Sequence, residues 1–258
     1  MVTFQELLKK REPFLGTFVQ SAAPEFVEAA AWAGFRFAAV DLEHTYYGSE
    51  KLAELVRAGE AAEMCMLTRV PALDAVWIKK ALDFGAAGVI APNIDTAEQA
   101  AELVRLSRFT PQGNRGACPG VRANGYGRGG SEYYEEANRR TAVIPLVESP
   151  AGVANFDAIV RTPGITAVFL GPVDLSVAMG LRGNIDAPEV REALFAMLRK
   201  ANDAGVPVGA LGMTPAFARE LFARGADFVG YGIDTMLMYR LCRDVVSAVL
   251  DVRETDTL

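Results

Sequence analysis

The stretch CMLTRVPALDAVWIKKALDFGAAGVIAP, residues 65 to 92, carries the clearest signal of the fold. It begins with a short apolar run, continues as an amphipathic segment of helical period that closes on Gly85, and ends in a second apolar run. A strand, a helix and a second strand in this order are typical of a parallel sheet covered by helices. The stretch therefore predicts one βαβ unit.

The same alternation occurs along the whole chain. Apolar runs, often flanked by Gly or Pro, are separated by amphipathic segments, several of which end on Gly. The runs are FLGTFVQ (14–20), RFAAVD (36–41), CMLTRV (65–70), AGVIAP (87–92), AVIPLVE (142–148), TAVFLG (166–171), VPVGAL (206–211) and DFVGYG (227–232). Eight such runs predict an α/β fold of the (β/α)8 TIM barrel type, a single domain over residues 1–258 with an extra N-terminal helix in VTFQELLKK. A doubly wound sheet is the rival, but no GxGxxG sequence follows the first run.

Composition excludes several classes of function. The chain has 51 % hydrophobic and 22 % charged residues and a net charge of −6, without a basic cluster, which disfavours nucleic acid or a membrane surface as partner. No apolar window reaches the roughly 18 residues of a membrane span, and the N-terminus lacks signal-peptide order, so we expect a cytoplasmic protein. The cysteines, Cys65, Cys118 and Cys242, form no CxxC pair, which argues against disulfides and structural zinc.

Reactive side chains are concentrated at the ends of the predicted strands, where barrel enzymes carry their active sites. The second run ends with Asp41 and is followed by Glu43 and His44, the only histidine in the chain. The third run contains Arg69, the fifth ends with Glu148, and Asp174 follows the sixth in GPVDLS. Each residue alone has a structural explanation as a cap, an ion-pair partner or a surface group. Their joint placement on four strand ends predicts a site.

Asp83 offers a possible partner for this histidine. It lies in the last turn of the predicted helix after the third strand, where a negative charge opposes the helix dipole. A histidine that becomes transiently cationic would compensate it, which makes a His44–Asp83 dyad plausible. A solvated carboxylate is the alternative, and spacing alone does not decide between them.

Elimination narrows the chemistry. A Schiff-base aldolase needs a lysine in the barrel mouth, but the lysines all fall on predicted outer helices or the N-terminal segment. Carbanion chemistry then requires a cation, and Glu148 and Asp174 provide the oxygen ligands that Mg, Mn or Co accepts.

One long segment interrupts the alternation. Residues 109–140, FTPQGNRGACPGVRANGYGRGGSEYYEEANRR, are rich in Gly, Arg and Asn. A long loop in a compact domain is usually functional or mobile. We expect it to cover the barrel mouth only if it crosses to that face.

The motifs FRFAAVDLEHTYYG, LTRVPALDAVWIKKALDFGAAGVIAPNIDTAEQA, TPQGNRG, PLVESPAGVANFDAI and AVFLGPVDLSVAMG resemble, in order and spacing, those of the metal-dependent pyruvate aldolases of the HpcH/HpaI family. The resemblance runs from about residue 14 to 232. It implies reversible aldol cleavage of a 4-hydroxy-2-oxo acid, with a divalent cation as cofactor and a 2-oxo acid and an aldehyde as small-molecule partners.

The resemblance also implies residue roles. His44 matches the general base, acting through a water, and Asp83 its carboxylate partner. Arg69 matches the arginine on the C2 oxygen of pyruvate, and Asp41 is similar to the acidic residue that orders the water and the base. The metal ligands match Glu148 and Asp174. The substrate-binding positions match Gly171 and the backbone N–H groups of Val173 and Asp174, and Arg122 is a hypothesis for the aldehyde side.

Two further expectations follow from the resemblance. Members often carry Gln two residues before the metal-binding Glu, where this chain has Leu146, so hydroxypyruvate is an alternative donor to pyruvate. The family assembles as a hexamer, a trimer of dimers that exchanges its C-terminal helix, and TMLMYRLCRDVVSAVL has the wide apolar arc of such a helix. The last helix of a monomeric barrel could look similar.

Two other functions remain open at this point. One is a citrate-lyase-β-like lyase acting on CoA thioesters, which should lack the DLEH base. The other is a non-catalytic metabolite-binding barrel.

Overall fold

The computed structural model describes residues 2–250, and its strands close into a parallel barrel in the order β1 to β8. Every neighbouring pair, including β1 with β8, is parallel. The strands are β1 (Phe14–Val19), β2 (Phe37–Asp41), β3 (Cys65–Arg69), β4 (Gly88–Ala91), β5 (Ala142–Val147), β6 (Val168–Leu170), β7 (Val208–Gly212) and β8 (Phe228–Ile233). Each lies in one of the apolar runs or overlaps it, so the barrel prediction is confirmed.

Helices connect the strands and form the outer layer. They are α1 (Phe4–Lys9), α2 (Pro24–Trp32), α3 (Ser49–Ala61), α4 (Ala75–Asp83), α5 (Ala97–Ser107), α6 (Glu132–Arg140), α7 (Pro150–Ala154), α8 (Phe156–Val160), α9 (Pro172–Ala178), α10 (Pro188–Asp203), α11 (Pro215–Ala223) and α12 (Asp234–Leu250), with a 3-10 helix at Arg122–Gly127. The N-terminal helix α1 lies where the sequence predicts it. No helix among residues 2–250 is long and apolar enough to cross a membrane.

Local sequence sets the helix ends around the βαβ unit of residues 65 to 92. The Asp74 side chain accepts the N–H groups of Val76 and Trp77 and so begins α4. After α4, Gly85 adopts a positive φ of 102°, which ends the helix and turns the chain into β4. The helix runs antiparallel to the strands, so its first residue is near the carboxyl ends of the strands and its last residue is near their amino ends.

The apolar side chains form two cores. One fills the barrel and contains Phe18, Phe37, Leu67, Ile144 and Phe169, among others. The other lies between the strands and the helices. The alternation of inward and outward side chains along each strand produces both, as expected for strands that are buried on both faces.

Helix α1 closes the amino-terminal end of the barrel. The Phe4 ring is fully buried, and its centroid lies 5.6 Å from that of Phe14, 5.8 Å from that of Phe37 and 5.0 Å from that of Phe228, each in an edge-on arrangement. The Thr3 and Glu6 side chains form a capping box that begins the helix. This end is therefore packed with aromatic rings, and the opposite end remains for a site.

The segment of residues 109–140 does not cover the mouth in this chain. Its arginine Arg122 donates to the carbonyl of Phe84 at the end of α4, and the cavity of about 450 Å³ beside it is lined by Thr3 and by Ala87, directly before β4. These neighbours place the segment beside the amino ends of the strands. Part of it is helix α6, whose acidic first turn and basic last turn match the helix dipole, a signal that its polar composition concealed.

Candidate active site

The central feature of the site is a clamp between β2 and β3. Asp41 and Arg69 are register partners at the ends of these strands. Arg69 Nε donates to Asp41 Oδ1 at 3.0 Å, and Arg69 Nη2 donates to Asp41 Oδ2 at 2.7 Å. Burial opposes ionisation of Asp41, but the hydrogen bonds and charge of Arg69 outweigh it and hold the pKa of Asp41 below its ordinary value. The pair is therefore an ionised, bidentate clamp.

Asp41 cannot itself touch a substrate, because it is fully buried. Its oxygens also accept the backbone N–H of Glu43 at 3.0 Å and the side-chain amide of Gln20 at 2.7 Å. The Arg69 guanidinium stacks on the Phe18 ring, with Cζ 4.9 Å from the centroid. Asp41 thus fixes the orientation of Arg69 and of the backbone that leads to His44.

Glu43 and His44 follow the clamp at the barrel mouth. Glu43 Oε2 lies 3.3 Å from Arg69 Nε and 3.8 Å from His44 Nε2. The His44 side chain is 55 % exposed, which leaves it accessible to a ligand and to water. Burial raises the pKa of Glu43. The charges of Arg69 and His44 lower it and those of Asp41 and Asp174 raise it, and the net result is a raised pKa.

Glu148 follows β5 and is buried beside the clamp. Its Oε1 accepts the backbone N–H of Asn93 at 2.9 Å, and Asn93 adopts a positive φ of 56° that aims this group. A Cβ on Gly171 would lie 2.7 Å from Glu148 Oε2, so the glycine leaves space for this carboxylate. Burial raises the pKa of Glu148 to about 8, and the negative charges of Asp174 and Glu43 add to the effect.

Asp174 lies in the first turn of α9, directly after β6. The helix begins with Gly171 as N-cap and Pro172 at its first position. As residues of a first turn, Val173 and Asp174 carry N–H groups without an intrahelical acceptor. Asp174 is exposed at the mouth, and its charge is close enough to raise the pKa values of Glu43 and Glu148.

The residues present fit a divalent cation. The carboxylates of Glu43, Glu148 and Asp174 repel one another electrostatically, and a cation between the last two would relieve that repulsion. Within residues 2–250 no group of three or more His, Cys, Asp or Glu side chains is arranged to hold a metal. The chain therefore offers two carboxylates, and water and substrate oxygens would complete the coordination of an ion such as Mg²⁺.

The structure does not bring Asp83 to His44 within one chain. Asp83 ends α4 near the amino ends of the strands, where its Oδ1 accepts from Arg115 Nη2 at 2.7 Å, whereas His44 follows the carboxyl end of β2. The antiparallel direction of α4 explains the separation. This corrects the expectation of a dyad within the chain, since Arg115, and not the histidine, compensates the charge of Asp83.

Arg122 is also absent from the mouth of its own barrel. It pairs with Glu60 at the end of α3 and donates to the carbonyl of Phe84 at 2.9 Å. A contact between Arg122 and a substrate in the same chain is therefore not supported. Arg122 is far from the mouth because the whole segment of residues 109–140 begins after α5, which ends near the amino ends of the strands.

Sequence reasoning missed two contributors, Gln20 after β1 and Asn93 after β4. It placed Glu43 at the site but assigned it no role. The strand-end rule that selected Arg69 could have selected Gln20 and Asn93. An amide side chain and a backbone N–H carry no charge signal, however, so nothing in the sequence distinguished them.

Comparison with known proteins identifies the family of the chain. The family model described as HpcH/HpaI aldolase/citrate lyase matches residues 15–240. The chain belongs to this family. It is accordingly an enzyme, a carbon–carbon lyase of the aldolase type.

Its relatives include named aldolases. The hydroxypyruvate/pyruvate aldolase of Paraburkholderia phytofirmans is 32 % identical, with 96 % of this chain and 99 % of that protein covered. The 2-keto-3-deoxy-L-rhamnonate aldolase of Salmonella typhi is 35 % identical, with 91 % and 88 % covered. The crystal structure of an HpcH/HpaI family protein from Burkholderia cenocepacia superposes with a TM-score of 0.90 at 35 % identity, with 95 % and 97 % covered. The fold and the family resemblance are thereby confirmed.

Proposed function

We propose that the protein catalyses reversible, divalent-metal-dependent aldol cleavage of 4-hydroxy-2-oxo acids to pyruvate or hydroxypyruvate and an aldehyde. The observation that carries the proposal is the clamped Arg69 beside the acidic group of Glu148 and Asp174. An immobilised guanidinium beside two carboxylates that can bind a metal ion is an arrangement that stabilises an enolate. The names of two relatives point to the same reaction class.

Arg69 would bind the C2 oxygen of the 2-oxo acid. Asp41 occupies Nε and one N–H of Nη2, so Nη1 and the second N–H of Nη2 remain for a substrate oxygen. The bidentate clamp keeps the guanidinium in place before the negative charge develops, which is the condition under which a hydrogen-bond donor accelerates a reaction. Val173 and Asp174 would donate their first-turn N–H groups to the substrate carboxylate.

His44 would move the proton through a water. In the cleavage direction it accepts the proton of the C4 hydroxyl, and in the synthesis direction it returns it. Its exposure at the mouth leaves room for the water and the aldehyde, and Glu43, 3.8 Å from Nε2, can stabilise the protonated imidazole.

Glu148 and Asp174 would hold the cation, which can be Mg²⁺, Mn²⁺ or Co²⁺. When bound, the cation supplies a Lewis acid that polarises the 2-oxo group and lowers the energy of the enolate. Asn93 and Gly171 keep the Glu148 carboxylate in place, the first through its N–H and the second by leaving space.

The donor can be pyruvate or hydroxypyruvate. Leu146 is buried in the barrel two residues before Glu148, and its side chain cannot form a hydrogen bond with the 2-oxo acid. An apolar wall discriminates weakly against an added hydroxyl. We therefore include hydroxypyruvate, the donor that appears in the name of the Paraburkholderia relative.

We further propose a homo-oligomer, a hexamer built as a trimer of dimers. Large apolar side chains of α12 are exposed in the single chain, among them Leu241 at 66 % and Val249 at 73 %. Because Asp83 lies at the far end of its own barrel, a dyad with His44 would require Asp83 from a second copy in such an assembly.

An assay with a panel of aldehydes tests the proposal. The enzyme is stripped with a chelator, supplied with Mg, Mn or Co, and given pyruvate or hydroxypyruvate with each aldehyde. We expect 4-hydroxy-2-oxo acid products that depend on the added metal. Full activity of the stripped enzyme would reject the metal role.

A citrate-lyase-β-like lyase acting on CoA thioesters is the second candidate, because the matching family model covers citrate lyases as well. His44 at the mouth, the base that this rival should lack, favours the aldolase. Thermal unfolding with and without CoA separates the two, since only the rival should be stabilised by CoA.

A further inference from the structure

A continuous series of hydrogen bonds links the end of β8 to Arg69. Asp234 is fully buried, and its Oδ1 accepts the backbone N–H of Gln20 at 2.9 Å. Its Oδ2 accepts the backbone N–H of Ser21 at 2.9 Å and also the Ser21 hydroxyl. The side chain of Gln20 then donates from Nε2 to Asp41 Oδ2 at 2.7 Å, and Asp41 holds Arg69.

A β-bulge brings Asp234 into this position. Gly16 pairs with Gly230, but Phe18 pairs with Ile233, so β8 contains one residue more than β1 over this interval. Gly232 lies in the bulge with a φ of 64°. Because of the extra residue, the β8 side chains that follow it point to the opposite face from the one they would otherwise occupy. Asp234 is also shifted by one residue toward the end of β1.

The end of β1 is also held from the other side. The Tyr47 hydroxyl donates to the carbonyl of Val19 at 2.9 Å. Burial raises the pKa of Tyr47, and the charges of Asp41 and Asp234 add to this effect, which places both carboxylates around the same phenol. Gln20 is therefore fixed at its backbone by Asp234 and directed by its side chain toward Asp41.

We propose that Asp234 and Gln20 are positioning residues that set the orientation of Arg69 through Asp41. Asp234 fixes the backbone of the β1–α2 loop, Gln20 carries that constraint to Asp41 Oδ2, and the carboxylate plane of Asp41 sets the guanidinium plane. The proposal rests on the proposed role of Arg69 in binding the C2 oxygen. A site that depends on preorganised donors requires such support behind the residues that contact substrate.

Ligand binding distinguishes positioning from general stability. The probe is oxalate, a planar dianion with the shape and charge of the enolate of pyruvate, and it is titrated into the Mn²⁺-loaded enzyme. For Gln20→Leu and for Asp234→Asn we expect oxalate affinity to fall by about tenfold or more, because displacements near 1 Å are costly in such sites. The affinity of Mn²⁺ itself should stay within about twofold, since Glu148 and Asp174 are untouched.

Asp227→Asn is the matched control. Asp227 Oδ2 accepts the backbone N–H of Val208 at 2.8 Å at the opposite end of the barrel, so it fixes backbone in the same way without a link to Arg69. Its oxalate affinity should equal that of the wild type even where its melting temperature falls. Equal losses in Asp227→Asn and Asp234→Asn would overturn the proposal, as would wild-type oxalate affinity in a folded Gln20→Leu.

A second measurement does not depend on the aldolase function. In metal-free protein, Gln20→Leu and Arg69→Met are compared with the double variant by chemical unfolding. Residues that share one hydrogen-bond series give non-additive losses of stability, so the double variant should lose less than the sum. Additive losses would refute the positioning series. If instead wild-type enzyme with Mn²⁺ binds no oxalate, the proposed function fails, and this cycle still decides the positioning role.

Discussion

Asp41, at the scale of the single residue, shows how a carboxylate can serve a site without reaching it. It has no exposed surface, and it accepts hydrogen bonds from Arg69, from Gln20 and from the backbone of Glu43 at once. His44 has the opposite character, since more than half of its side chain is exposed. Substitution of Asp41 should therefore lower both stability and activity, whereas substitution of His44 should lower activity alone.

His44→Ala should lose most aldol cleavage and keep its fold. More than half of the His44 side chain is exposed, so its removal creates no cavity and should alter the melting temperature little. Loss of a general base typically costs about 10² to 10⁴ in rate. Steady-state cleavage assays and thermal unfolding check both expectations. Unchanged turnover would exclude His44 as the base.

Glu148→Gln should stabilise the metal-free protein at high pH. The Glu148 carboxyl has an ordinary pKa of 4.5 when unfolded and about 8 when folded, so the folded state binds its proton more tightly. The free energy of unfolding therefore falls as pH rises from 4.5 to about 8, and the amide removes this loss. At pH 8.5 we expect the chelated variant to melt above the wild type, by about 2 to 4 °C for each kcal/mol recovered in a chain of this size, and at pH 4.5 near it.

Divalent cations provide the companion readout for Glu148→Gln. Added Mn²⁺ should raise the melting temperature of the wild type and leave that of the variant unchanged, because binding to the folded state alone stabilises it. An equal rise in both proteins would remove Glu148 from the set of metal ligands.

Helix α1 and the strands, at the scale of the element, show how the barrel separates stability from chemistry. The aromatic packing of Phe4 closes the amino-terminal end, and the clamp of Asp41 and Arg69 lies at the other end. In barrels of this type one end is used for stability and the other for catalysis. Changes at the two ends should therefore have separable effects.

Phe4→Ala should lower stability without altering the site. Truncation of a fully buried Phe typically costs about 3 to 5 kcal/mol. We expect a large fall in the urea midpoint, while KM for the 2-oxo acid at a temperature where the variant is folded stays at the wild-type value. Phe26→Ala, a partly buried ring on α2, is the control and should cost less. A changed KM in Phe4→Ala would show that the two ends are coupled.

The elements were largely predictable from sequence, whereas the partners of individual side chains were not. Apolar runs and Gly stops depend on neighbouring residues, so the eight strands and α1 could be read locally. Asp83 illustrates the limit, because its partner Arg115 is 32 positions away in sequence. The predicted order of strands and helices already implies that α4 ends near the amino ends of the strands, but it does not identify this partner. Asp234 is a second case, since its role depends on a β-bulge in β8 that the sequence did not predict.

At the scale of the whole molecule, α12 is the feature that one chain leaves incomplete. Among its residues 234–250 only Asp234 is buried, and its outward apolar side chains meet solvent. An exposed apolar helix of this length is typical of an interface. The hexamer proposed above would cover it.

Leu241→Glu should therefore reduce the assembly. A charge in an apolar interface is left without a partner, which disfavours association. Sedimentation velocity should show a hexamer for the wild type and smaller species for the variant. Arg199→Glu, a change of an exposed charged side chain on α10, is the control and should remain hexameric. A monomeric wild type would reject the oligomer.

In the proposed mechanism, a cation and Arg69 together stabilise the enolate of a 2-oxo acid. Exchange of the pyruvate methyl protons with deuterium, followed by NMR, reports that enolate directly and needs no knowledge of the aldehyde. We predict exchange at the background rate for chelated enzyme, rapid exchange after Mg²⁺ is added, and strongly reduced exchange in Arg69→Met with Mg²⁺. Rapid exchange in the chelated enzyme, or none with any of Mg²⁺, Mn²⁺ and Co²⁺, would contradict the account.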